Sequence, residues 1–136
     1  MSSATLDISA SDPPDGRSGD PRTRLGRRGE DAALAVYRRA GFRLVARNWR
    51  CGAGEIDLVV RRGGLLVICE VKTRSGSAFG EGYESVTFAK RRRLRRLAHL
   101  FLRQLEWAPA DVRFDVASVH LPRTGRPDVL LFADAF

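Results

Sequence analysis

The sequence predicts one α/β domain, a mixed sheet flanked by helices, and three observations predict it. A stretch with helical period opens the structured part, strand-like stretches follow around a Gly-Gly turn, and a second amphipathic helix precedes two further strands. The predicted order is α-β-β-β-α-β-β. With 136 residues, 43% of them hydrophobic, the chain is long enough for one such domain with a real core and too short for two.

Residues 1–24 hold Ser, Asp, Gly and three of the six prolines without a hydrophobic period, which predicts a disordered tail ahead of a domain over 25–136. From Leu25 to Ala40, Gly26, Glu30, Ala33, Leu34 and Tyr37 share one helical face, and Gly41 ends the element. Leu44–Arg50 suits a first strand. Gly52 and Gly54 punctuate before a second, Glu55–Arg62. Gly63-Gly64 is a tight hairpin signal, and Leu65–Lys72 returns as the third. Residues 73–83, rich in Gly and Ser, read as a loop. The second helix is expected from Ser85 to Leu105, with Leu94, Leu97, Ala98, Phe101, Leu102 and Leu105 on an apolar stripe. Val112–Leu121 and Asp128–Phe132 supply the last strands, joined through Pro122, Gly125 and Pro127.

Composition narrows the function classes. The longest apolar runs, such as Leu65–Cys69 and Val129–Ala133, are strand-sized, so no membrane span is expected. The N-terminus shows neither the basic nor the apolar region of a secretory signal, and a cytoplasmic protein is expected. Cys51 and Cys69 offer neither a disulfide framework nor a zinc-ligand spacing, and Cys69 suits a buried small hydrophobe. The net charge of +8 favours a polyanionic partner. Among 24 basic residues only Lys72 and Lys90 are lysine; the others are all arginine, so these two positions invite their own explanation.

The hairpin turns sequence into geometry. If Gly63 and Gly64 form the loop, Asp57 faces Glu70 across the strands and Glu55 faces Lys72, with all four on one face and Ile56, Leu58, Val60, Leu65, Val67, Cys69 and Val71 on the other. Facing carboxylates repel, and a divalent cation relieves them. Mg²⁺ commonly uses one or two carboxylates plus phosphate oxygens, and the Val71 carbonyl could add a ligand. Lys72 could hold or deprotonate an attacking water, or neutralise charge developing on phosphorus. The same residues also suit a ribbon laced with cross-strand salt bridges, although like charges directly opposite argue against it.

Glu30 adds an acid on the apolar face of the first helix, where it either points at something polar or simply answers the helix dipole. Gly26 and Gly29 beside it permit a close approach of the helix. The second helix opens with Lys90, Arg91, Arg92, Arg93, Arg95 and Arg96, and no acid interrupts residues 85–105. That run suits phosphate binding as well as a plain solvated face. Arg74 and Lys90 are the preferred phosphate contacts, with Arg91, Arg92 and Arg95 beside them. His99, His120, Trp49 and Trp107 suit structural roles, and Asp115 either supports the site from a neighbouring strand or pairs with an arginine.

Gly54-Glu55-Ile56-Asp57-Leu58-Val59 followed by Cys69-Glu70-Val71-Lys72-Thr73-Arg74 resembles the D…ExK signature of restriction-endonuclease-like nucleases. More closely, the chain resembles the YraN family of endonuclease-like proteins, related in fold to Holliday-junction resolvases. The likeness runs from Gly26-Arg27-Arg28-Gly29-Glu30 through Gly41-Phe42, Arg47-Asn48 and the two motifs to Phe79-Gly80, Lys90 and Arg113-Phe114-Asp115-Val116. It implies a restriction-endonuclease-like three-layer sandwich with Asp57, Glu70 and Lys72 as catalytic core. It implies further that Glu30 is a catalytic acid on the first helix, and that Mg²⁺ or Mn²⁺ is held by Asp57, Glu70 and Glu30. Glu55 belongs to the family motif and ranks as supporting. The implied activity is hydrolysis of phosphodiester bonds in branched or structured DNA, in repair or recombination, with a homodimer among the implied partners. A non-catalytic DNA-binding module retaining the same fold is the competing reading.

Overall fold

A proline at the first helical position and a glycine just past the last bracket the opening element. Pro21 lacks only an N–H that the first turn leaves unpaired, and Gly41, at φ +92°, takes the left-handed conformation that closes a helix. Helix α1 therefore runs Pro21–Arg39, with the Gly41 and Phe42 amides donating back to the carbonyls of Arg38 and Tyr37 at 3.0 Å. It reaches back beyond the hydrophobic period that starts at Leu25, so residues 21–24 are helical and not part of a tail. The computed structural model describes residues 21–76 and 87–136. The expected tail over 1–20 and most of the expected 73–83 loop lie outside the described residues.

Five strands form one sheet in the order β1-β2-β3-β4-β5. They are β1 (Arg43–Cys51), β2 (Gly54–Arg62), β3 (Leu65–Ser75), β4 (Asp111–Leu121) and β5 (Asp128–Phe132). Neighbours are antiparallel except β3 and β4, which are parallel. Parallel neighbours need a long crossover, and helix α2 (Phe88–Gln104) supplies it. Strand β3 does not stop at Lys72. Strand β4 pairs with it from Leu65↔Asp111 to Ser75↔Leu121, so ladder hydrogen bonds keep Thr73 and Arg74 extended without any apolar alternation of their own. Helix α2 opens at Phe88, later than Ser85, because Thr87 is extended and its side chain caps the helix by accepting from the Lys90 amide at 3.1 Å.

Each face of the sheet carries a helix. Ala33, Leu34 and Tyr37 of α1 pack on Leu58, Val60, Val67, Cys69, Ala117 and Val119. Leu94, Leu97, Ala98 and Phe101 of α2 pack on Val45, Ala46, Ile56, Val59, Leu66 and Ile68. Fully enclosed side chains such as Phe101 and Leu58 each contribute about 1.5–3 kcal/mol of burial. The result is the restriction-endonuclease-like three-layer sandwich, α1 | sheet | α2. One contact sets how closely α1 sits on the sheet: a Cβ placed on Gly29 would lie 1.9 Å from Oγ1 of Thr73. Gly26 meets nothing within 4 Å and sets no such limit. Among the described residues, no helix is long and apolar enough to cross a membrane.

Candidate metal and nucleic-acid site

The Gly63-Gly64 turn fixes the hairpin register, and Arg62↔Leu65 through Leu58↔Cys69 pair as the two-residue loop requires. Pairing stops there, one step short of Asp57 and Glu70. The expected facing pairs Asp57–Glu70 and Glu55–Lys72 therefore do not form as ladder partners. On the other side, β1 and β2 pair at Arg47↔Leu58 and Trp49↔Ile56, skipping Asn48 and Asp57. Asn48 stands at φ 52°, in the left-handed region. The alternation slips by one residue here: Leu58 and Val60 face α1, whereas Ile56 packs with Val59 on the α2 side. The single-faced arrangement of the four charged side chains is corrected accordingly, because both faces of the sheet are core and the strand changes phase at Asp57.

Asp57 sits in the gap so made. Its Oδ2 accepts from the Val71 amide at 2.8 Å, a carboxylate taking the place a backbone carbonyl would hold in a continued ladder. Burial pushes its pKa up to about 7, with the charges of Glu70, Glu30 and Glu55 adding to the rise and the Val71 hydrogen bond opposing it.

Around Asp57 the other acids are held by different cations. On the α1 side, Arg47 Nε lies 3.2 Å from Glu30 Oε1, and Asn48 Nδ2 donates to both Glu30 Oε2 and Glu55 Oε2 at 3.0 Å. Burial still raises the Glu30 pKa above its ordinary value. Glu55 meets Arg50 at 3.7 Å and not Lys72. On the α2 side, Glu70 Oε2 lies 2.8 Å from Lys90 Nζ and 3.4 Å from Lys72 Nζ, with the Glu70 side chain only 11% exposed. Burial, and then the neighbouring Lys90, hold Lys72 below the ordinary lysine value.

The donor set fits a hard cation of low protein-ligand demand. Among the described residues, no three His, Cys, Asp or Glu side chains are grouped as a preformed cage. Asp57 and Glu70 are instead two neighbouring acids whose mutual repulsion is already expressed in the raised Asp57 pKa. Mg²⁺ and Mn²⁺ are commonly served by such a pair, with substrate phosphate and water completing the shell. Glu30, tied to Arg47 and Asn48, stands behind this pair.

Comparison with known sequences shows the family. A family model described as "Uncharacterised protein family UPF0102" matches residues 29–119. A UPF0102 protein of Parafrankia sp. (strain EAN1pec) is 51% identical over 102 residues, covering 75% of this chain and 86% of its own. One from Symbiobacterium thermophilum is 47% identical over 113 residues, covering 83% and 96%. The chain belongs to UPF0102. This is the YraN family to which the order of motifs pointed. The UPF0102 match takes in Glu30, Glu55, Asp57, Glu70, Lys72, Lys90 and Asp115 and ends before β5.

The remaining residues singled out from the sequence scatter around this UPF0102 core. Arg74 is half-buried on β3, and Arg91 is half-buried, its Nε without a hydrogen-bond partner among the described residues. Arg92 and Arg95 are exposed on α2 and lean over the rings of Phe88 and Phe114 at 5.9 and 5.6 Å. Asp115 is fully buried opposite Cys69, the residue before Glu70, and pairs with Arg113, Tyr37 and the Asp134 amide, so it ties α1, β4 and the C-terminal segment together. His120 binds the Gly76 carbonyl, while Trp49 packs edge-on against Phe101 and Trp107 stacks under Arg61. The role of Asn48 was missed in the sequence. Its signal was an asparagine, a poor strand former that tolerates left-handed φ, in the middle of a predicted strand.

Proposed function

We propose that this UPF0102 protein is a divalent-metal-dependent DNA endonuclease that hydrolyses phosphodiester bonds in branched or structured DNA, in repair or recombination. One observation carries the reading: the Asp57 carboxylate, beside Glu70, fills the gap where β2 and β3 stop pairing, with Lys72 next along the strand.

Asp57 and Glu70 would hold Mg²⁺ or Mn²⁺, which when bound supplies positive charge at the scissile phosphate and acidifies the attacking water. Lys72 holds that water or takes its proton, its ammonium already disfavoured by burial and by Lys90. Glu30 adds negative charge behind Asp57, oriented by Arg47 and Asn48. Lys90, Arg74, Arg91, Arg92 and Arg95 contact DNA phosphates. Such contacts position a backbone without reading bases, which favours recognition of structure over sequence. The protein would act in the cytoplasm, and a homodimer would bring two sites to two strands.

The Lys90–Glu70 contact and the lack of a three-acid cage among the described residues favour a second reading, a DNA-binding module that retains the fold without cutting. Cleavage decides between them. Wild type, Asp57→Ala and Lys72→Ala are incubated with Mg²⁺ or Mn²⁺ on linear, flapped and four-way DNA. The nuclease reading expects cutting by wild type and a loss of about 100-fold or more in each variant. Equal activity in all three proteins identifies a contaminant. Binding of DNA without cutting by wild type supports the module.

A further inference from the structure

We infer that Lys90 competes with the divalent cation for the carboxylate of Glu70, so that cation binding releases a lysine toward DNA phosphate. The inference rests on Asp57 and Glu70 being the metal-holding pair, and it gives Lys90 a role inside the centre rather than on the basic rim.

Geometry and residue choice support it. Two ammonium groups, at 2.8 and 3.4 Å, share the single oxygen Oε2 of Glu70, and the closer belongs to Lys90, from the helix layer that covers this face. Lys72 rides on the same strand as Glu70, two residues along, whereas Lys90 comes from another element. The Lys90 backbone is pinned by the Thr87 cap, and its ammonium, on a four-carbon stem with the side chain 20% exposed, reaches Glu70 from the helix. Arginine dominates this chain, and an arginine at position 90 would grip a carboxylate with two parallel hydrogen bonds. Lysine is a compact point charge on a flexible stem, easier to displace. The only two lysines in the sequence meet at this one acid.

A cation arriving at Glu70 removes the anion that holds Lys72 and Lys90 together. Their like charges then favour separation, and an incoming phosphate is the natural acceptor for the one on the basic helix. Cation and DNA would thus each favour binding of the other through Lys90.

The test titrates Mn²⁺ into full-length wild type, Lys90→Gln and Arg103→Gln by calorimetry without DNA. Arg103, in the last turn of α2, controls for loss of one positive charge. Lys90→Gln is expected to bind Mn²⁺ about tenfold more tightly than wild type, and Arg103→Gln to stay within about twofold. In protein carrying ¹³Cε-lysine, which gives two side-chain signals, Mg²⁺ should shift the Lys90 resonance. Binding by Lys90→Gln no tighter than wild type, or a Lys90 signal unmoved at saturating Mg²⁺, overturns the competition while leaving the metal pair standing. Absence of binding in both proteins overturns the metal pair itself, and the competition with it. Binding by Lys90→Gln alone is the strongest form of the expected result.

Discussion

The Tyr37 hydroxyl donates a 2.6 Å hydrogen bond to Oδ2 of Asp115, joining α1 to β4 within the core. Arg113 Nε and Nη2 and the Asp134 amide complete the shell, each at 2.9 Å. A buried carboxylate needs such a full set, and losing one donor to it costs about 1.5–3 kcal/mol. Tyr37→Phe is therefore expected to lower urea stability by that amount while leaving Mn²⁺ affinity unchanged. A loss of metal affinity in this variant would make Asp115, opposite Cys69, a supporting residue of the site.

Gly29 governs how α1 approaches β3. With Thr73 Oγ1 only 1.9 Å from any added Cβ, Gly29→Ala must push the helix outward. Overpacking of this kind costs about 1–3 kcal/mol, and Gly26→Ala, in open space, serves as control. Equal unfolding midpoints for the two variants would contradict the tight contact.

Asn48 combines a left-handed backbone with a bridge between two acids. Asn48→Gly keeps the backbone freedom and loses the bridge, whereas Asn48→Ala loses both. The alanine variant is expected to be less stable than the glycine variant by about 1–2 kcal/mol. Denaturant unfolding measures the difference, and equal stabilities would show that φ at this position costs nothing.

Asp57 makes stability depend on pH with an unusual sign for an acid. Its pKa rises on folding from the ordinary 3.8 to about 7, through burial first and then the charge of Glu70. The folded state thus binds the proton more tightly, so its contribution is fully present below pH 3.8 and is lost as pH rises through about 7. In divalent-free buffer, Asp57→Asn should match wild type near pH 4 and melt at a higher temperature near pH 8. Saturating Mg²⁺ should reverse the order at pH 8. A constant offset between the two proteins across this range would refute the raised pKa.

Much of this was legible in the sequence because local patterns decided it. The Gly63-Gly64 turn dictated the register from Arg62↔Leu65 to Leu58↔Cys69, and the stripe from Leu94 to Phe101 dictated the buried face of α2. What escaped depends on partners distant in the chain. Thr73 and Arg74 are strand because β4 pairs with them, and the ladder fails at Asp57 because Asn48 turns left-handed beside it. Lys90 looked like the start of a basic rim because its run of neighbours is arginine. Only the packing of α2 over β3 brings it to Glu70.

Electron paramagnetic resonance of Mn²⁺ titrated into metal-free protein decides whether Asp57 and Glu70 hold a divalent cation. A bound Mn²⁺ population is expected in wild type, and Asp57→Ala and Glu70→Ala are each expected to abolish it. A wild-type protein that leaves all the Mn²⁺ free in solution, or bound Mn²⁺ that survives both substitutions, would show that they do not.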